Sequence, residues 1–141
     1  MILYIWVALG SAIGGCLRFA IGRDIAASNL FLPWPTILIN VLGSFAIGFF
    51  GTLTLSSSRF ALSDGARIFF MAGICGGFTT FSSFSLQTFD LLRAGAWGRA
   101  LGNVTLSVLL CLLAVALGHL AALPANHAVA ITQSHDEEYT S

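Results

Sequence analysis

The sequence contains no lysine, and all six of its positively charged side chains are arginines. Only 9% of the 141 residues are charged, whereas roughly 25% are charged in ordinary soluble domains. The six arginines balance six acidic residues, so the formal net charge is zero. Such a chain lacks the basic surface that attracts a phosphate backbone, and we expect no nucleic-acid partner.

The interiors of the apolar segments also lack carboxylates, and Asp90 is the acidic residue nearest to them. A proton-coupled multidrug exporter needs a carboxylate embedded in the membrane, so this class is disfavoured. An enzyme is disfavoured too, because no cluster of histidines, cysteines or carboxylates lies inside these segments. The cysteines occur one to a segment without a CxxC pair, which favours small apolar-compatible residues over a metal site or a disulfide: Cys16, Cys75 and Cys111.

Long hydrophobic segments dominate the chain, of which 57% is hydrophobic. A membrane span needs ~20 mostly apolar residues. Four segments satisfy this, at about residues 3–22, 35–55, 66–92 and 97–123. We therefore predict an all-α membrane protein with four transmembrane helices in residues 1–123. Residues 124–141 are polar and are predicted to form a disordered tail whose histidines are solvated.

The third segment contains an unusual mixture of glycines, hydroxyl residues and phenylalanines between residues 73 and 85. Gly76 and Gly77 allow the backbone to leave α geometry, and Thr79 and Thr80 can replace the lost backbone hydrogen bonds. Irregular backbone at membrane depth is tolerated only where protein or a water-filled cavity covers it. The sequence therefore predicts a helix break near Gly76–Thr80 that belongs to a functional site.

Such a break can bind ions of either sign. Carbonyl groups released there suit a hard cation such as sodium, while the N-terminus of the following half-helix favours an anion. Phe81 and Phe84 are three residues apart and so share one helix face, where their electropositive ring edges can touch a small anion. Packing or lipid contact is the ordinary alternative for these rings.

Polar and small residues also recur on one face of the other three segments. Helix packing and the wall of a polar path both explain such faces, and a buried amide such as that of Asn40 needs a partner or a ligand. Arg18 either faces an aqueous cavity or extends to the membrane interface. The three faces contain Gly10, Gly14 and Arg18; then Asn40, Ser44, Gly48 and Gly51; then Asn103, Ser107, Cys111 and Gly118.

The arginines give little bias in membrane orientation. One side would carry Arg59 and Arg67, and the other would carry Arg23, Arg93 and Arg99, with Arg18 if it reaches the interface. So small a difference permits insertion in one orientation or in both. Because four helices leave little room for an ion path and its walls, we expect a homodimer.

Three motifs in order resemble the signatures of the Fluc (CrcB-type) fluoride channel family. They are GGCLRF at residues 14–19, NVLGSFAIG at residues 40–48 and GGFTTFSSFS at residues 76–85. The resemblance covers residues 1 to about 123. It implies an antiparallel, dual-topology homodimer in the bacterial inner membrane, with two pores that export fluoride passively from the cytoplasm. It also implies a structural sodium ion at the centre of the dimer.

The resemblance further implies roles for individual residues around the break. Gly76 and Thr79 would each offer a backbone carbonyl to Na⁺, so that two subunits supply four ligands. Phe81 and Phe84 would line the fluoride path with their ring edges.

The resemblance also implies roles for the remaining residues of the fluoride path. Asn40 would donate an amide N–H to fluoride, and Ser107 would continue a polar track on the fourth helix. Thr80 and Ser83 would add hydroxyls beside the path, and Arg18 would lie near the vestibule.

Two positions depart from the family pattern. Asn103 stands where relatives often carry tyrosine, and Gln87 stands where many carry glutamate. A structural membrane subunit without transport activity is the remaining alternative, but it leaves the Gly76–Thr80 break and the several polar faces unexplained.

Overall fold

The computed structural model describes the backbone of residues 1–25, 31–54 and 62–140. Within these ranges it describes every side chain except those of residues 24–25 and 124–140. Every regular element in this part of the chain is helical. Four stretches are long and apolar enough to cross a membrane: Ile2–Arg23, Trp34–Leu53, Asp64–Arg93 and Trp97–Leu123. The predicted all-α class and the four spans are thereby confirmed. Arg59, one of the arginines used in the orientation argument, lies outside the described residues.

The helices follow one another with short connections. In chain order they are α1 (Ile2–Ile25), α2 (Trp34–Leu53), α3 (Asp64–Ile68), a π-helical segment (Phe69–Cys75), α4 (Gly76–Phe78), α5 (Phe81–Arg93) and α6 (Trp97–Thr140). Pro35 lies in the first turn of α2. An N–H group at this position would have no acceptor within the helix, so proline costs no hydrogen bond there. After α5 the chain reverses at Gly95, whose φ of 72° is one that glycine adopts readily.

The third span is composed of α3, the π-helical segment, α4 and α5. The residues with extended backbone are Thr79 (φ −77°, ψ 157°) and Thr80 (φ −150°, ψ 107°), between α4 and α5. Gly76 has right-handed helical angles of φ −64° and ψ −38°. The expectation that Gly76 and Gly77 leave α geometry is therefore wrong, because both glycines lie inside α4.

Glycine instead allows α1 to approach the third span closely. A Cβ atom at Gly10 would lie 2.8 Å from Cα of Gly73, and one at Gly77 would lie 2.7 Å from Cα of Ser11. Real Cβ atoms do not come this near to a neighbouring backbone, so only glycine fits at these positions. This is the backbone contact between helices that small residues permit in membranes.

The helices α2 and α6 run in the same direction and contact each other along their length. Near their N-terminal ends, Arg99 Nε donates to the Phe31 carbonyl at 2.6 Å. Near their C-terminal ends, Thr52 Oγ1 lies 2.7 Å from His119 Nδ1. The Thr52 hydroxyl also lies 2.9 Å from the Gly48 carbonyl oxygen, to which it can donate.

The C-terminal end of α6 differs from the expectation for the tail. Its backbone is helical to Thr140, although a disordered segment was expected from residue 124. The part of α6 that is apolar enough to cross a membrane ends at Leu123.

Candidate functional site

A cavity of about 350 Å³ lies beside the two extended threonines. Residues from α2, the π-helical segment, α4, α5 and α6 form its wall, together with Thr79 and Thr80 between α4 and α5. The lining residues are Asn40, Gly43, Ser44, Ile47, Cys75, Gly76, Thr79, Thr80, Phe81, Phe84, Ser107, Val108 and Cys111. The structure thus places seven of the predicted site residues around one space: Asn40, Gly76, Thr79, Thr80, Phe81, Phe84 and Ser107.

The Asn40 side chain is paired with the backbone of Thr80 by two hydrogen bonds. Its Nδ2 donates to the Thr80 carbonyl at 3.1 Å, and its Oδ1 accepts from the Thr80 N–H at 2.7 Å. A residue with extended backbone has no helical partners for these groups, so Asn40 supplies them. The amide carries two N–H donors, and this pairing uses one of them.

Both hydrogen-bond donors of Thr79, at the C-terminal end of α4, bond to the same carbonyl group. Its backbone N–H and its Oγ1 each donate to the Cys75 carbonyl, both at 3.0 Å. Because the hydroxyl is turned back toward the π-helical segment, the group of Thr79 that is suited to a cation is its backbone carbonyl.

Thr80 begins α5 as its N-cap. Its Oγ1 accepts from the Ser83 N–H at 3.2 Å and donates to Ser83 Oγ at 3.0 Å. An oxygen at this position satisfies a backbone donor of the first turn. Ser83 does not line the cavity itself but contacts it through Thr80. The N-terminus of α5 therefore lies at the cavity with its partial positive charge.

The rings of Phe81 and Phe84 lie next to each other on α5. Their centroids are 5.3 Å apart and their planes are inclined by 46°. Phe81 is 78% exposed within the single chain, whereas Phe84 is half-buried. Both rings line the cavity, so the predicted pair shares one wall.

A chain of hydrogen bonds leads from the cavity into the contact between α5 and α6. Ser107 Oγ donates to Asn103 Oδ1 at 3.5 Å, and Asn103 Nδ2 donates to Thr88 Oγ1 at 2.8 Å. Thr88 in turn donates to the Phe84 carbonyl at 2.8 Å. Asn103 is fully buried. Sequence reasoning missed Thr88, whose only signal was its position four residues after Phe84.

Two predicted positions lie apart from this arrangement. Arg18 is half-buried on α1 and is not among the residues that line the cavity. Gln87 is half-buried on α5, and its Oε1 atom is buried without a hydrogen-bond partner among the described residues.

The donor atoms around the cavity decide which cation it could hold. Within the described part of the chain, no group of three or more histidine, cysteine, aspartate or glutamate residues is placed to bind a metal ion. The oxygens near the interruption belong to backbone carbonyls and hydroxyls, which are ligands for hard cations. The Gly76 and Thr79 carbonyls are therefore of the correct chemical type for Na⁺.

Comparison with known proteins identifies the family of this chain. Residues 5–119 match the family model described as CrcB-like protein, Camphor Resistance (CrcB). A relative from Methylocella silvestris, named fluoride-specific ion channel FluC, is 55% identical over 124 residues, which are 87% of this chain and 95% of the relative. A relative of the same name from Gluconobacter oxydans is 54% identical over 94% of this chain and 93% of the relative. Another from Paramagnetospirillum magneticum is 58% identical over 89% of this chain and 99% of the relative. These names are those of ion channels rather than enzymes, and with four candidate spans the chain is a multi-pass membrane protein of the CrcB family.

Proposed function

We propose that this protein is a fluoride-selective channel that conducts fluoride passively out of the cytoplasm. The observation that carries the proposal is that the Asn40 amide and the rings of Phe81 and Phe84 line one cavity at the interrupted span. The relatives named fluoride-specific ion channels support the choice of anion.

Asn40 has two functions in this proposal. One N–H of its amide holds the Thr80 carbonyl, and the second is the donor that replaces water around a fluoride ion. Because both Asn40 and Thr80 are fixed by their mutual bonds, this donor is preorganised. Fluoride is small and strongly hydrated, so fixed donors favour it over chloride, which a wider, wetter pore would admit.

The remaining path follows the rings and the hydroxyls. The edges of Phe81 and Phe84 offer weak positive potential, which binds a small anion without retaining it. Ser107 continues the path along α6, and Thr80 and Ser83 add hydroxyls at the N-terminus of α5. Arg18 is assigned to the vestibule, outside the cavity itself.

Passive transport follows from the titratable groups. Among the cavity-lining residues there is no carboxylate and no histidine. Proton coupling requires a group that exchanges protons within the path. The direction of net movement is then set by the fluoride gradient and the membrane potential, which drive an anion out of a bacterial cell across its inner membrane.

The channel is proposed to be an antiparallel homodimer with two pores. Gly76 is exposed in the single chain, and Phe81 is 78% exposed although it lines the cavity. Only 11–28% of the residues in the most apolar window of each span are buried. A second copy facing the interrupted span would complete the cavity wall, and the weak arginine bias allows it to insert in the opposite orientation.

A structural sodium ion is proposed where the two chains meet. A Cβ atom added at Gly76 would lie 3.8 Å from the Met71 carbonyl oxygen. Apart from the adjacent helix backbone, it would meet no other atom of the described residues within 4 Å. The space beside this residue is therefore open to a partner. The Gly76 and Thr79 carbonyls of two chains would supply four oxygens, and sodium would neutralise their partial charges.

Growth of bacteria in fluoride tests the proposed function. A strain that lacks its own fluoride exporter should tolerate fluoride when it expresses this chain, and should lose that tolerance with Asn40→Asp at equal expression. Equal sensitivity of cells with and without the chain would reject the proposal.

The orientation is tested with single cysteines placed at residues 56–64, in the predicted connection between the second and third spans, in a background without the native cysteines. Dual topology requires labelling by an impermeant thiol reagent from both sides of the inner membrane. Labelling from one side only would reject both the antiparallel dimer and the shared sodium site.

A further inference from the structure

Two asparagine side chains, one on each neighbouring helix, hold α5 in place. Among the described helices, α5 contacts α2 and α6. Asn40 of α2 pairs with Thr80, directly before α5, and Asn103 of α6 donates to Thr88, in the middle of α5, at 2.8 Å. Asn40 belongs to the proposed fluoride path, whereas Asn103 is fully buried and is not among the residues that line the cavity. The proposed path therefore leaves the Asn103 amide without a function.

The hydrogen bond between Asn103 and Thr88 has a cavity on each side of it. The cavity described above is lined by Phe84 and Ser107, one helical turn from Thr88 and Asn103 on their helices. A second cavity, of about 450 Å³, is lined on α5 by Thr88 and Leu92 and on α6 by residues of its first two turns. Side chains that face a cavity lose the contacts that would otherwise hold two helices together. The hydrogen bond is therefore an important link between α5 and α6.

The bonds around Asn103 join the two walls of the first cavity. Thr88 Oγ1 accepts from Asn103 and donates to the Phe84 carbonyl, both at 2.8 Å. Asn103 Oδ1 accepts from Ser107 Oγ at 3.5 Å, which is long for a hydrogen bond from a hydroxyl. Phe84 is thus firmly tied to α6, while the Ser107 hydroxyl is held weakly enough to turn to an anion.

We propose that Asn103 is a positioning residue that fixes the spacing between Phe84 and Ser107, and thereby the selectivity for fluoride over chloride. Without its bond to Thr88, α5 can move relative to α6 in the space that the two cavities provide. The path between the ring and the hydroxyl then widens, and a wider path admits chloride, the larger ion. The effect on selectivity rests on the proposed fluoride channel, whereas the positioning of α5 does not.

Separate measurements of fluoride and chloride efflux from liposomes test the effect on selectivity. Asn103→Leu roughly conserves the side-chain volume and removes both amide groups. It should lower the ratio of fluoride to chloride efflux by at least about fivefold, as expected for the loss of one net hydrogen bond. Thr88→Val should lower the ratio similarly, and the combined variant should lower it no further than either single variant, because all three remove the same bond.

Two further variants separate the hydrogen bond from a general defect. Thr88→Ser keeps the hydroxyl and should retain the parent ratio. Thr105→Val, at an exposed position of α6, is the control for loss of a threonine hydroxyl. A loss of folded protein alone would reduce the efflux of both ions together and leave their ratio unchanged.

Hydrogen–deuterium exchange of the full-length protein in detergent gives a readout that needs no conduction. Residues 81–93 should exchange faster in Asn103→Leu and Thr88→Val than in the parent, because α5 has lost a contact that protects it. Residues 2–23 should exchange at the parent rate, since α1 contacts neither α5 nor α6 among the described residues. If Asn103→Leu does not elute from size-exclusion chromatography as the parent does, Thr88→Val provides both readouts.

The outcomes separate this inference from the proposed function. The parent efflux ratio in both Asn103→Leu and Thr88→Val would reject the effect on selectivity, and a ratio for Thr88→Ser as low as that of Thr88→Val would reject the hydrogen bond as its cause. Unchanged exchange of residues 81–93 would reject the positioning of α5. If the parent carries no fluoride while this exchange still depends on Asn103 and Thr88, the proposed function fails and the positioning of α5 stands.

Discussion

Asn40 and Thr80 are 40 positions apart in the sequence, and the amide of the first satisfies both backbone groups of the second. The Nδ2–carbonyl distance is 3.1 Å and the Oδ1–N distance is 2.7 Å. One side chain on α2 thereby stabilises the extended backbone that separates α4 from α5, and its second amide N–H is the donor that we propose for fluoride.

Asn40→Asp should abolish fluoride efflux and destabilise the fold. The carboxylate keeps an acceptor for the Thr80 N–H, but it removes both donors and places an oxygen against the Thr80 carbonyl. Leaving such an acceptor unsatisfied costs about 1–3 kcal/mol, which thermal unfolding in detergent would detect. Leu42→Ala, at a side chain that is 53% exposed on the same helix, is the control. Full activity of Asn40→Asp would remove Asn40 from the path.

Phe81→Ile and Phe84→Ile should each reduce fluoride efflux severely while the protein stays assembled. Isoleucine roughly conserves the apolar volume but has no electropositive ring edge. Phe89→Ile is the matched control, since Phe89 is 56% exposed on the same helix and does not line the cavity. If the cavity variants conduct as well as Phe89→Ile does, the two rings are packing residues.

Asn103 and Thr88 should be energetically coupled. A double-mutant cycle with Asn103→Ala and Thr88→Val isolates their 2.8 Å hydrogen bond, and we expect a coupling energy of about 1 kcal/mol. Thr105→Val, at an exposed position of α6, replaces Thr88→Val in the control cycle. Equal coupling energies in the two cycles would contradict the hydrogen-bond chain.

Gly77→Ala should disrupt the contact between α1 and the third span. Its Cβ atom would lie 2.6 Å from the Ser11 carbonyl oxygen, and overpacking of this kind costs about 1–3 kcal/mol. Gly15→Ala is the control, because a Cβ atom there meets nothing within 4 Å. A lower unfolding temperature only for Gly77→Ala supports the contact, and equal unfolding temperatures would contradict it.

The sequence predicted the spans more successfully than the local geometry of the third one. Hydropathy alone located the four helices, because each must present about 20 apolar residues to lipid. The irregular backbone was attributed to Gly76 and Gly77, yet the extended residues are Thr79 and Thr80. The glycines instead fit the close approach of α1, which depends on how the helices pack.

The sequence singles out residues that share one cavity, but it does not predict the contacts between them. The spacing of polar residues and the family resemblance singled out Asn40, Thr80 and Ser107, which all line the cavity. No sequence pattern revealed that Asn40 pairs with Thr80 or that Thr52 pairs with His119. Such partners lie 40 and 67 positions apart, and only the packing of α2 against its neighbours brings them together.

Anion efflux from liposomes distinguishes a passive fluoride channel from a nonselective or proton-coupled transporter. Purified protein is reconstituted in liposomes loaded with potassium fluoride or potassium chloride at equal pH on both sides, and efflux is started with valinomycin, which lets potassium balance the charge. We expect rapid fluoride efflux that requires valinomycin, with little chloride efflux. Chloride efflux as fast as that of fluoride, or fluoride movement that requires a pH gradient, would contradict it.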